Sequence, residues 1–169
     1  MIRIGLLSDT HGYIDDHILN QLASCDEFWH AGDFGNIEVA ITLQKLKPLR
    51  GVSGNVDGFD VSSIYPQHLR WQCEDVSVFM THIGGYPGKY APAVRIELSK
   101  NAPQLFICGH SHICKIQYDR HYKCLHMNPG AAGKHGWHQM RTMIRFTVDG
   151  NNMKDCEVVE LGKRGDLTA

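Results

Sequence analysis

Long apolar runs are missing from this chain of 169 residues. Its longest apolar stretches are strand-sized, far short of the roughly 20 residues a membrane-spanning helix needs. An excess of one charge is missing too. Seventeen Lys and Arg stand against 18 Asp and Glu, giving a formal charge of -1, and no long basic run breaks the balance. A dedicated nucleic-acid binder is therefore not expected. The opening Met1-Ile2-Arg3-Ile4-Gly5-Leu6-Leu7 breaks into Ser8-Asp9 without the apolar length or small-residue cleavage site of a secretory signal. None of the six cysteines (Cys25, Cys73, Cys108, Cys114, Cys124 and Cys156) forms a C-x-x-C pair. That argues against a structural zinc site or a thioredoxin-like motif. Reduced thiols in a cytoplasmic protein are the expectation. Internal repeats, low-complexity stretches and interdomain linkers are also absent, so one domain over residues 1–169 is expected, large enough to bury most of its apolar surface.

Apolar periodicity organises what is present. Residues 2–7 read as a strand that stops at Ser8-Asp9. Ile14, Ile18, Leu19, Leu22 and Ala23 fall at helical spacing, with Asp15 and Asp16 in a favourable first turn. A short strand at Glu27–His30 leads into Ala31-Gly32-Asp33. Residues 36–46 are helical again up to the stop at Pro48, and Leu49–Ser53 forms a strand running into Gly54-Asn55. This β-α-β-α-β series predicts a largely parallel sheet covered by helices. Beyond it, Leu69–Cys73 and Val76–Thr81 predict a hairpin, 92–100 a helix and Leu105–Cys108 a strand. Short strands at 115–118, 123–127, 140–148 and 153–161 suggest a second, mostly antiparallel sheet packed on the first. Residues 163–169 are polar and expected to fray.

Five motifs stand where predicted strands give way to loops: Asp9-Thr10-His11, Gly32-Asp33, Gly54-Asn55, Thr81-His82 and Gly109-His110-Ser111-His112. They supply two carboxylates, one carboxamide and four imidazoles. That is enough for two divalent ions about 3.5–4 Å apart, an arrangement used to split phosphate esters. In extended chain, residues i and i+2 point to one side, so Asp9 and His11 can address one ion, and His110 and His112 can reach a shared site. Any one motif has an ordinary explanation. D-x-H arises by chance, Gly-Asp and Gly-Asn suit turns, and His82 could be a packed histidine. Their conjunction after successive apolar strands is what points to metal.

Taken as Ser8-Asp9-Thr10-His11-Gly12, His30-Ala31-Gly32-Asp33, Gly54-Asn55-Val56-Asp57, Thr81-His82-Ile83-Gly84, Gly109-His110-Ser111-His112 and Asn128-Pro129-Gly130, the series resembles the calcineurin-like metallophosphoesterases. More narrowly, it is similar to their small bacterial and archaeal phosphodiesterases, over nearly the whole chain. The resemblance implies an α/β fold, a four-layer α/β/β/α sandwich of two mixed sheets flanked by helices, with metals at one edge. It implies that Asp9, His11, Asp33 and His112 bind one ion and Asp33, Asn55, His82 and His110 the other, with Asp33 and a water-derived hydroxide bridging. Asp33, Asn55 and His82 count among the catalytic residues as well as the ligands. Manganese is the preferred ion, with iron, nickel, cobalt or zinc as alternatives for this nitrogen and oxygen set. The implied reaction is in-line attack of that hydroxide on a small phosphodiester. Two divalent ions against three first-sphere negatives leave about +1, which matches a diester.

Two departures from the family pattern stand out. Many relatives place a histidine after the asparagine, where Val56 stands here, and losing a positioned acid typically removes a factor of about 10²–10⁴. The small phosphodiesterases also tend to lack it, so Val56 sharpens the subfamily. Ile83 interrupts T-H-G, and Cys114 stands where many relatives have proline; both read as loop variation. Lys134, His135, His138 and Arg141 could touch substrate phosphate or form a solvated loop. His30 could buttress Asp33 or simply pack, and Asp57 could orient a ligand or only make its turn. The rival readings are a phosphomonoesterase and a non-catalytic scaffold, since a retromer subunit shares the fold. Protein phosphatase or nuclease activity fits less well, because those relatives usually carry the histidine missing at Val56. The expected partner is a small phosphodiester, not nucleic acid or membrane.

Overall fold

Alternate residues of a strand face opposite sides of its sheet, and here both sides of the central strands are apolar. In the computed structural model, which describes residues 1–166, the first half runs β1 (Ile2–Leu7), α1 (Asp16–Leu22), β2 (Glu27–His30), α2 (Ile37–Gln44), β3 (Leu49–Gly51) and α3 (Phe59–Ser62). Next come β4 (His68–Cys73), β5 (Val76–Thr81), a small hairpin of β6 (Gly85–Tyr86) and β7 (Lys89–Tyr90), then α4 (Pro92–Lys100) and β8 (Leu105–Ile107). The chain ends with β9 (Cys114–Asp119), β10 (Cys124–Pro129), β11 (Met140–Asp149) and β12 (Asn152–Lys163).

Two five-stranded sheets face each other, ordered β12-β11-β1-β2-β3 and β4-β5-β8-β10-β9. Ile4, Leu6 and Trp29 from the first meet Val78, Met80, Leu105 and Ile107 from the second in the central core. The alternate residues build the outer layers. Leu7 and Phe28 pack against Ile18 and Leu22 of α1 and Val39 and Leu43 of α2. Phe79 and Phe106 pack against Val94 and Leu98 of α4. Helices α1, α2 and α4 each present an apolar pair at i, i+4 spacing, as an amphipathic surface helix must. The Asp15 side chain accepts from the Ile18 amide and caps α1, while Pro92 opens α4. The four-layer α/β/β/α sandwich of two mixed sheets is thus as expected.

The expectation of a mostly antiparallel second sheet is corrected. Its middle strands β5, β8 and β10 run parallel, while β11 and β12 return to the first sheet, with β11 antiparallel to β1. The turn after Asp149 dictates that β11 and β12 pair, but not which sheet they join. Burial on both faces of β11 decides that, since Met143 meets the helices while Ile144, Phe146 and Val148 enter the central core. The first helix is also shorter than its apolar spacing suggests, because the Asp15 cap leaves Ile14 outside it. Fraying at the end is only partly seen: the Arg164 amide still donates to the Gln139 carbonyl, and residues 167–169 of the expected frayed tail lie outside the described residues. All six cysteines are unpaired. No helix among the described residues is long and apolar enough to cross a membrane.

Candidate metal centre

The parallel strands β1, β2 and β3 end at one edge of the sandwich, and their loops stay bonded to one another beyond the strands. Asp9 N–H donates to the Gly32 carbonyl at 3.0 Å and His11 N–H to the Asp33 carbonyl at 3.1 Å. Gly32 has a specific reason to be glycine: its φ is +99°, and a Cβ there would lie 2.6 Å from His82 Nδ1. Across the edge, Asn128 Nδ2 donates to the Gly109 carbonyl at 3.0 Å and lies 3.1 Å from Ser111 Oγ, fixing the loop that carries His110 and His112.

All seven sequence-derived ligand residues meet at this edge. One ligand atom each from Asp9, His11 and His112 lie within 4.8 Å of one another, and so do atoms from Asp33, His82 and His110. Asn55 joins the second group, its Oδ1 lying 3.1 Å from His110 Nδ1. Asp33 Oδ2 faces both groups, 3.7 Å from His11 Nε2 and 3.0 Å from His82 Nε2. The argument from extended chain does not describe how this happens. Asp9, His11, Asp33, His110 and His112 all have positive φ, between 45° and 69°. His110 and His112 consequently diverge into different groups.

Each carboxylate is held by one oxygen and offers the other. Asp9 Oδ2 accepts from Ser8 Oγ at 2.6 Å and from the His110 amide at 3.1 Å, leaving Oδ1 without a hydrogen-bond partner. Asp33 Oδ1 accepts from the Val56 amide at 3.1 Å, leaving Oδ2 toward the imidazoles. Burial works to raise both carboxyl pKa values. For Asp9 the facing imidazoles of His11, His112 and His82 and the bond from Ser8 prevail, and for Asp33 the facing His82 and the bond from the Val56 amide do. Both acids are therefore held below the usual carboxylate range.

The imidazoles are oriented by their far nitrogens. His82 Nδ1–H donates to the Ala31 carbonyl at 2.7 Å, which points Nε2 at Asp33. Burial opposes charge on His82, but Asp33 and Asp9 outweigh it and raise its pKa, favouring a proton on the ring beside the carboxylates. A divalent cation can take that proton's place. Buried Asp9 Oδ1, His11 Nε2 and His82 Nε2 all lack hydrogen-bond partners of acceptable geometry, and nitrogen and oxygen donors surround the same point. The residues fit a metal.

Other residues singled out in the sequence separate here. His30 does not touch the Asp33 carboxylate. Burial depresses its pKa to about 3, so it is neutral; Nδ1 accepts from the Gly32 amide and Nε2 donates to Thr10 Oγ1. Asp57 braces the site, its carboxylate accepting from the amides of Phe34, Gly35 and Gly54. Arg141 is fully buried, bonded to the carbonyls of Ala132 and Leu161, so it is not a phosphate contact. Lys134 donates to the Asp166 carbonyl. His135 and His138 do reach the centre, their rings 4.8 Å from His11 and 5.1 Å from His112. The floor opens into a cavity of about 440 Å³ lined also by Val56, Ser111, Ile113 and Trp137. The sequence carried no signal for Trp137.

The family model for the calcineurin-like phosphoesterase superfamily domain matches residues 2–151. The chain belongs to that superfamily. Its members are divalent-metal-dependent enzymes that hydrolyse phosphoric esters, and the paired groups at the strand ends suit that dependence. A Methanothermobacter thermautotrophicus protein described as a probable metallophosphoesterase is 24% identical over 165 residues, covering 94% of this chain and 92% of that protein. Among solved structures, an archaeal phosphodiesterase superposes with a TM-score of 0.71 at 19% identity, covering 94% of this chain and all of the other. Wild-type Vps29 of Entamoeba histolytica complexed with zinc has a TM-score of 0.71 at 16% identity, covering 95% and 100%. At these identities the two structures speak for the fold.

Proposed function

We propose that this protein is a phosphodiesterase that hydrolyses small phosphodiesters with two divalent ions, preferably manganese. Asp9, His11 and His112 would hold one ion, Asn55, His82 and His110 the other, and Asp33 both. The observation that carries this reading is the aim of the His82 ring: with Nδ1–H committed to Ala31, buried Nε2 faces Asp33 Oδ2 at 3.0 Å. Only a cation or proton makes that pairing favourable. Bound ions would supply a nucleophile at neutral pH and neutralise phosphoryl oxygens.

The chain's own groups prepare for that chemistry. Ser8 and the His110 amide turn Asp9, and the Val56 amide turns Asp33, so that one oxygen of each faces inward. Their lowered pKa values keep both ionised at neutral pH. The side chain at position 56 is apolar and lines the cavity, so it donates no proton to a leaving group. Esters whose leaving groups depart unaided, such as aryl diesters, suit it best.

Stripping the metals with a chelator, restoring manganese and comparing an aryl phosphodiester with the matching monoester tests the reading. The diester is expected to be the faster substrate, and Asp33→Asn to lose most turnover of both. A faster monoester would overturn the diesterase reading. Metal that stays bound without turnover of either ester would favour an interaction scaffold, the alternative that the structural likeness to Vps29 keeps in view.

A further inference from the structure

The side chain of Trp137 is 99% exposed, more than Phe59 at 85% or any other large apolar residue described. An indole carries much apolar area, and leaving all of it in water is unfavourable. Yet its position is not that of a loose surface residue. The loop is pinned on either side of it: the His135 ring lies 4.8 Å from that of His11, and His138 Nε2–H donates to the Gly133 carbonyl at 2.9 Å. Between them the backbone packs so closely against the outer nitrogen of His112 that a Cβ on Gly136, whose φ is +127°, would lie 2.3 Å from His112 Nδ1. The loop therefore places the indole on the wall of the cavity whose floor carries Asp33, Asn55 and His110.

Two further apolar side chains line the same cavity. Val56 is 51% exposed and Ile113 68%. Scattered exposed apolar residues need no explanation, but three around one polar floor do. A cavity of about 440 Å³ is in the range that holds a small organic ligand rather than a bare phosphate. An open cavity whose donor groups are joined by these three apolar side chains would hold a molecule with a flat apolar body and a charged head.

The geometry points to Trp137 as a stacking shelf that takes a planar aromatic group ester-linked to the phosphate, with Val56 and Ile113 completing its apolar wall. This deepens the phosphodiesterase reading and rests on it, because the phosphoryl head is what brings the ring to the shelf. The ring can be a simple aryl group or a nucleobase, which share the flat π-face that indole recognises.

Manganese-loaded protein is to be titrated with methylphosphonate, phenylphosphonate and adenosine monophosphate. Each is read as an inhibitor of aryl diester hydrolysis and by quenching of exposed-indole emission. The two ring-bearing ligands are expected to bind about tenfold tighter than methylphosphonate and to quench. Trp137→Ala should abolish the preference and the quenching, and Trp137→Phe should keep most of the preference. A nucleotide that outbinds phenylphosphonate identifies a nucleobase as the ring; equal binding identifies a small aryl group. Equal inhibition by all three, or a ring preference that survives Trp137→Ala, overturns the shelf and leaves the phosphodiesterase reading standing. A wild type that neither hydrolyses the diester nor binds any of the three overturns both.

Discussion

His138 Nδ1 lies 3.2 Å from His112 Nδ1, and His138 spends its other nitrogen on the Gly133 carbonyl. Burial lowers the pKa of His138, which leaves it neutral with a lone pair on Nδ1. His112 must then be the donor of the pair. Its Nε2 is left facing Asp9 Oδ1 at 3.1 Å, the atom an imidazole so oriented would offer to a metal. Outer partners of this kind typically carry about 10–100-fold in metal affinity. If two manganese ions bind as proposed, His138→Ala should weaken one of them by that factor, measured by calorimetric titration, with a small change in the melting temperature of the chelated protein. Loss of both sites equally would show that the histidine acts on the whole edge and not through His112.

Asp57 holds three amides with one carboxylate, at 3.2 Å to Phe34, 2.9 Å to Gly35 and 2.8 Å to Gly54. Two of the three ligand-bearing loops on the first sheet are thereby tied together. Hydrogen bonds to a charged group are worth about 1.5–3 kcal/mol each when broken singly. Asp57→Asn keeps the shape but loses charge and turns a donor toward those amides. It should destabilise the apo protein by about 2 kcal/mol in urea unfolding and lower metal affinity as well. An unchanged unfolding midpoint would reduce Asp57 to an ordinary turn residue.

His30 makes stability depend on pH. Its folded pKa is about 3 because burial disfavours the charged ring, while the unfolded value is about 6.5. Below about pH 6.5 the unfolded chain therefore binds a proton that the folded chain refuses, and stability falls as pH drops toward 3. From neutral pH to 5 the loss due to this residue is about 2 kcal/mol. His30→Gln, measured by urea unfolding in chelator at both pH values, should be less stable at pH 7 but lose less on acidification. An identical slope would mean that His30 is accessible to protons. His126, also buried and depressed to about 4, acts in the same direction and supplies part of the remaining slope.

The ligand residues were legible because each follows an apolar run, and parallel strands deliver their ends to one edge. Asp9, His11, Asp33, His82, His110 and His112 needed no more than that. The backbone that brings them together was not legible, since nothing in Asp-Thr-His announces two left-handed residues. Trp137 gave no signal, and His138 was singled out only as a phosphate contact, not as a partner of His112. Their loop comes from late in the chain, and its role depends on β11 crossing into the first sheet beside β1, a partnership that hairpin signals do not encode. Arg141 looked like a loop cation because charged residues are rarely buried; the carbonyls that make its burial tolerable belong to residues distant in sequence.

The left-handed backbone at five of the chemistry-bearing positions has a consequence for how this fold can change. Each such residue costs of the order of 1 kcal/mol in conformational strain, and glycine would remove it. The two buried carboxylates, Asp9 and Asp33, add mutual repulsion to the same small region. Substitutions that erase the ligands would therefore tend to make the chain more durable. The metal-free chain should gain stability from such replacements while losing the donors a metal would need.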